Sequence, residues 1–112
     1  MEVNEMAAAT KEEIEALAIK FQVRCLNIHR KLFFDLQERD ISPEIKDRAA
    51  KLIHYTKAEQ YPEAKKETDD IAYLFNILYK INYIEPVVYK GLEVDARVLS
   101  EEFSQIISGS EE

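Results

Sequence analysis

Residues 28–84 read IHRKLFFDLQERDISPEIKDRAAKLIHYTKAEQYPEAKKETDDIAYLFNILYKINYI, and this stretch decides the fold. Two helical patterns meet at a junction, with Pro62 just inside the second. Ile45, Ala49, Leu52 and Ile53 make the inner stripe of the first, and Ala64, Ile71, Ala72, Phe75, Leu78 and Tyr79 that of the second. Apolar residues three and four apart share one helix face, so each pattern predicts an amphipathic helix with one buried side. Ser42-Pro43 marks a helix start, with serine as N-cap and proline where no backbone N–H is required. Pro86 ends the second pattern at or before Glu85, because proline disfavours helix in the residue ahead of it.

Working outward, Thr10 and Glu13 form a capping box that opens a helix toward the quoted stretch. Its stripe runs Ile14, Leu17, Ala18, Phe21, Cys25, Ile28, Leu32 and Leu36, widened by Val23, Leu26, Phe33 and Phe34. Beyond Pro86, VVYKG is either extended or helical, and Gly91 reads as a break in any continuous helix. Leu92, Ala96, Leu99, Phe103 and Ile106 then predict a last helix ending at Gly109 in a left-handed cap. The expectation is an all-α antiparallel bundle with helices near 11–38, 43–56, 62–84 and 92–108. Its core is built on Phe21, Cys25, Ile28, Leu32, Leu52, Ile53, Ile71, Phe75 and Leu78. The domain spans 10–109, between a mobile leader over 1–9 and an acidic tail over 110–112.

One hundred and twelve residues with 46% apolar content suit one globular domain that needs no disulfide or metal staple. Two glycines and three prolines leave little material for hairpins, which argues against an all-β fold. The single cysteine has no internal disulfide partner, the start lacks a signal-peptide pattern, and no run is long enough to span a membrane. A cytoplasmic protein without membrane insertion is expected. The net charge of −7 is uneven: residues 20–57 hold nine basic and five acidic side chains, the rest six basic and seventeen acidic. A basic segment in an acidic chain steers partners. At +4 and without an aromatic-basic signature it speaks for protein over nucleic acid.

No glycine-rich phosphate loop or nucleophile elbow is present. Cys25 and His29 stand four apart on one face, a spacing that suits a metal, but His54 is the only other histidine and Cys25 lies in the apolar stripe. Glu12 and Glu15 on the first helix, with Glu67 and Asp70 on the third, give two carboxylate pairs at helical spacing. Side by side they would supply oxygen ligands to Mg²⁺. The second pair, within ETDDIAYL, resembles the metal motif of the all-α nucleotide pyrophosphohydrolases of MazG type. That resemblance implies a nucleotide hydrolase as the alternative reading. Glu12 and Glu15 stand at a helix start, no substrate-binding set accompanies the four, and a solvated helix face accounts for Glu67 and Asp70 equally well.

The segment RKLFFDLQERDISPEIKDRAAKLIHYTKAEQYPEAKKETDDIAYLF runs in four parts: a leucine-rich helix end, a proline-containing break, an apolar helix, and a Tyr61-x-x-Ala64 junction into the next helix. In this order it resembles the helical-bundle domain shared by the C-terminal region of the COPII coat protein Sec31 and the steroid receptor RNA activator protein. The later tryptophan-containing helix of that family has only LFNILYKINYI opposite it here, without tryptophan. The resemblance implies an interaction domain rather than an enzyme, with a coat role in vesicle transport; no cofactor is expected. The residues themselves lead to the same class: a non-catalytic adaptor, coat or regulatory module. Its expected partner-binding residues are Arg24, Arg30 and Lys31 from the basic stretch, and the aromatics Tyr55 and Tyr61 near helix ends.

Overall fold

The computed structural model describes residues 9–110. Four helices account for most of them: α1 Lys11–Arg30, which runs on as a π-helical turn over Lys31–Asp35, α2 Ser42–Lys57, α3 Tyr61–Lys80 and α4 Pro86–Ser110. No strand occurs among the described residues. The leader expected over 1–9 lies outside the described residues except for Ala9, and so does the tail beyond Ser110. Each helix packs on the next, α4 returns to α1 across a smaller interface, and α1 and α3 stand on a diagonal with no close backbone approach. The all-α bundle expected from apolar spacing is therefore the fold.

The capping box opens α1 as its two residues dictate: Thr10 Oγ1 accepts from the Glu13 N–H at 3.1 Å, and Glu13 Oε1 accepts from the Thr10 N–H at 2.8 Å. The same helix was expected to reach 38 and stops at Asp35. Its last turn widens, with the Leu36 N–H bonded to the Lys31 carbonyl. Gln37 then turns left-handed at φ 58°, and the Glu38 N–H closes on Leu32 at 2.8 Å. The later turns use the same device without the widening. Glu59 and Asn82 take positive φ, and the next N–H closes on Tyr55 and Leu78 respectively. Left-handed residues at helix ends are usually glycine, yet here they are Gln, Glu and Asn.

Three expectations about ends need correction. Ser42 is not the N-cap of α2; it is the first helical residue, after Ile41. The cap is the buried carboxylate of Glu38, which accepts from the N–H groups of Asp40, Ile41 and Ser42, the last at 2.7 Å. Gly91 does not break a helix. α4 begins at Pro86, where the missing N–H costs nothing, and runs straight through Gly91. Gly109 is not left-handed either, since neither glycine has positive φ.

Gly91 instead makes room. A Cβ there would meet the guanidinium of Arg24 at 2.6 Å, and that guanidinium crosses from α1 to bond Asp95 of α4.

The core is one cluster drawn from all four helices, with Ile14, Phe21, Cys25, Leu32, Leu52, Ile71, Phe75, Leu78, Leu92 and Phe103 at its centre. Ile28 and Ile53 only pack against its edge. Leu36, placed in the stripe by spacing, is 44% exposed, and Val23 and Phe34 also face outward. The cause for Leu36 is the π turn, which adds a residue to the last turn and rotates the next side chains away from the core.

Candidate interaction surface

The basic residues expected to bind a partner lie on α1, and the structure separates them. Arg24 is spoken for: Nη1 donates to Asp95 Oδ2 at 2.6 Å, tying α1 to α4. Arg30 and Lys31 are exposed and make no ion pair among the described residues. Around them on the C-terminal half of α1 stand exposed apolar side chains, namely Val23 at 50%, Phe34 at 64% and Leu36 at 44%. Two hollows adjoin here. One, of about 420 Å³, lies between the end of α1 and the turn into α4, walled by Ile28, Leu36, Tyr83, Ile84 and Val88. The other is formed by Asn27, Arg30, Lys31, Phe34 and Asp35, and Lys31 borders both.

Tyr55 and Tyr61 are elsewhere. Both are half-buried against the core, and the Tyr61 ring lies 5.9 Å from that of Phe103. Burial raises the Tyr61 hydroxyl pKa, with the charge of Glu59 adding to it. Tyr61 belongs to the end of the bundle where Lys11 bonds Glu59 at 3.0 Å. At 1.5 Å per residue, the length of α1 puts that end roughly 28 Å from Arg30. The five residues do not form one site.

The four carboxylates of the hydrolase reading do not converge. Glu12 and Glu15 are on α1 and Glu67 and Asp70 on α3, the diagonal pair. Arg48 of α2 occupies the second pair, with Nη1 at 3.0 Å from both Glu67 Oε1 and Asp70 Oδ2, and Nη2 at 2.9 Å from Glu44. Burial works against the charged guanidinium, but the hydrogen bonds to Glu44 and Glu67 outweigh it and raise its pKa above the usual arginine value. On the arginine side this contribution is complete below the ordinary arginine pKa and declines only in strong alkali, as pH rises through that raised value. Among the described residues, no group of three or more His, Cys, Asp or Glu is arranged to hold a metal.

Cys25 and His29 both serve the core. The ring of His29 is buried, with Nδ1 at 3.0 Å from the Ser42 carbonyl, a geometry in which the ring N–H donates. Burial pushes the Cys25 thiol up from an ordinary 9.0 to about 12. Two results are expected. An alkylating reagent should label Cys25 only as fast as the protein unfolds, whereas rapid labelling of the native chain would place the thiol at the surface. Because the folded pKa is the higher one, the contribution of this thiol to stability is complete below pH 9 and declines between about 9 and 12. A denaturation series across that range on the wild type and Cys25→Ser would reveal the difference.

No family model matches the chain, and neither does any curated protein. Among solved structures, the chain is similar to a protein with unknown function from the S23 ribosomal protein family of Bacteroides thetaiotaomicron. The likeness has a TM-score of 0.83 at 20% identity and covers 88% of this chain and 97% of that one. At that identity it shows the fold. It also corrects the resemblance to the Sec31 and steroid receptor RNA activator bundle, because the neighbour comes from another family and no link to Sec31 or the activator protein appears. The physical reason is that the segments carrying that resemblance are core spacing and helix-start chemistry. Leu32, Leu52, Ala64 and Phe75 are buried core residues, and Tyr61 and Pro62 open α3. Any pair of antiparallel helices asks for these. The coat role in vesicle transport falls with it.

Apolar spacing alone missed Leu36 as a surface residue and the contribution of Tyr83, Ile84 and Val88 to the hollow beside it. The one signal in the sequence was the aromatic and aliphatic run before Pro86, too rich for a solvated turn.

Proposed function

We propose that this chain is a non-catalytic protein–protein interaction module. It binds a partner through the C-terminal half of α1 and the adjoining end of the bundle. One observation carries the reading: Lys31 and exposed Leu36 border an apolar hollow, and Arg30, Lys31 and exposed Phe34 line a second beside it, with neither cation in an ion pair among the described residues. Aromatic and aliphatic anchors give an interface its energy, and unpaired cations at the edge speed and orient the encounter. A cytoplasmic setting goes with this reading. The one cysteine is buried and unbridged, and among the described residues no helix is long and apolar enough to cross a membrane.

The test is capture of partners from native extract by the wild type and by the Arg30→Glu/Lys31→Glu variant, with thermal unfolding of both as control. Exposed charges contribute little to stability, so the unfolding midpoint should hardly move while partner recovery falls. Arg24 is left intact because reversing it would set two acids against each other across α1 and α4. Undiminished recovery would move the site away from this surface. Mg²⁺-dependent release of pyrophosphate from nucleotides, abolished in Glu67→Gln, would put the hydrolase first. The engagement of Glu67 by Arg48 argues against that outcome.

A further inference from the structure

We infer that the two adjoining hollows take a bulky apolar side chain and a carboxylate from one acidic segment of the partner protein. This inference rests on the reading of the chain as an interaction module and specifies what that module recognises. The first hollow, at about 420 Å³, lies within the roughly 300–1,000 Å³ range of ligand clefts and is walled mainly by aliphatic side chains and Tyr83. Its lining is predominantly apolar, with only Glu85 and Lys31 charged and Lys31 shared with the second hollow, so it suits an apolar group. The second hollow has two cations, Arg30 and Lys31, against one anion, Asp35, and the exposed ring of Phe34 as a wall.

None of those three charges is in an ion pair among the described residues. An incoming carboxylate therefore meets unpaired donors, with guanidinium geometry suited to a two-pronged bond. Because Lys31 borders both hollows, the apolar group and the acid must come from neighbouring positions of one segment. One helical turn supplies that separation, since residues three or four apart share a face. A polyanion fits less well. The second hollow offers a surplus of one positive charge, and the chain as a whole carries −7, which opposes a long run of phosphates.

The probe is a panel of fluorescein-labelled, helix-forming alanine–glutamine peptides, each carrying a leucine or phenylalanine and a glutamate one turn apart, titrated by anisotropy against the full chain. Saturable binding is expected. Replacing the glutamate by glutamine, or Lys31→Glu in the protein, should weaken it about tenfold, the scale of one charge-assisted contact. Leu36→Glu, at an exposed position, should weaken every peptide without moving the unfolding midpoint. Equal binding of the glutamate peptides and their glutamine counterparts, indifference to Leu36→Glu, or tighter binding of an oligonucleotide of equal charge would each overturn the inference. If no peptide binds, this chemistry is wrong, yet a captured partner lost in Arg30→Glu/Lys31→Glu would keep the interaction reading. If capture is also unchanged, both fail.

Discussion

Truncating Phe75 to alanine is expected to destabilise the fold by about 3–5 kcal/mol, the usual cost of emptying a fully buried phenylalanine site. Phe75 is 1% exposed in the C-terminal half of α3, a helix with α2 on one side and α4 on the other. The lost ring removes transfer energy, and three helices must then either leave a void or shift. For a domain near 100 residues, each kcal/mol moves the melting temperature by roughly 4–8 °C, so the midpoint should fall by more than ten degrees. An unchanged denaturant midpoint would mean that the phase assigned to α3 is wrong.

Arg48→Ala should have the next largest effect, at about 2–4 kcal/mol. Breaking a buried ion pair costs about 3–5 kcal/mol because the remaining charge is stranded, and partial solvent access reduces that figure. Glu67 is 7% exposed and has no cation other than Arg48 within bonding distance among the described residues, whereas Asp70 retains Lys66. The stranded group is thus Glu67. The double variant Arg48→Met/Glu67→Leu removes both charges and keeps the apolar volume, so it should recover most of the loss. If the double variant is no more stable than Arg48→Ala, the cost lies in packing of the arginine stem and not in the buried charge.

The parts of the fold that follow regular helix-start chemistry were legible in the sequence. Thr10 and Glu13 cap α1 from three residues apart, and Pro43 and Pro62 lie in first turns as their geometry demands. What depended on tertiary packing or on irregular local backbone was misread. Gly91 has the composition of a helix breaker, yet its role is set by Arg24, 67 positions earlier, whose guanidinium fills the space a side chain would take. Glu38 displaced Ser42 as the cap because the left-handed turn at Gln37 folds its carboxylate back over the start of α2. Leu36 left the core because a π turn shifts the phase that regular spacing assumes.

The candidate site divides along the same line. Arg30 and Lys31 needed only to be basic and on the outer face of α1. Whether Arg24 was free, and whether Tyr61 stood near it, depended on which helices pack together. Glu67 and Asp70 likewise have helical spacing that suits a metal, and it was Arg48 on another helix that gave them a structural role.

The most direct test of the interaction reading is amide hydrogen exchange of the full chain, free and with its captured partner. Exchange should slow along the C-terminal half of α1 through Leu36 and across residues 81–88, with α2 and α3 unchanged. Protection confined to α2 and α3, or to the opposite end around Tyr61, would contradict that reading.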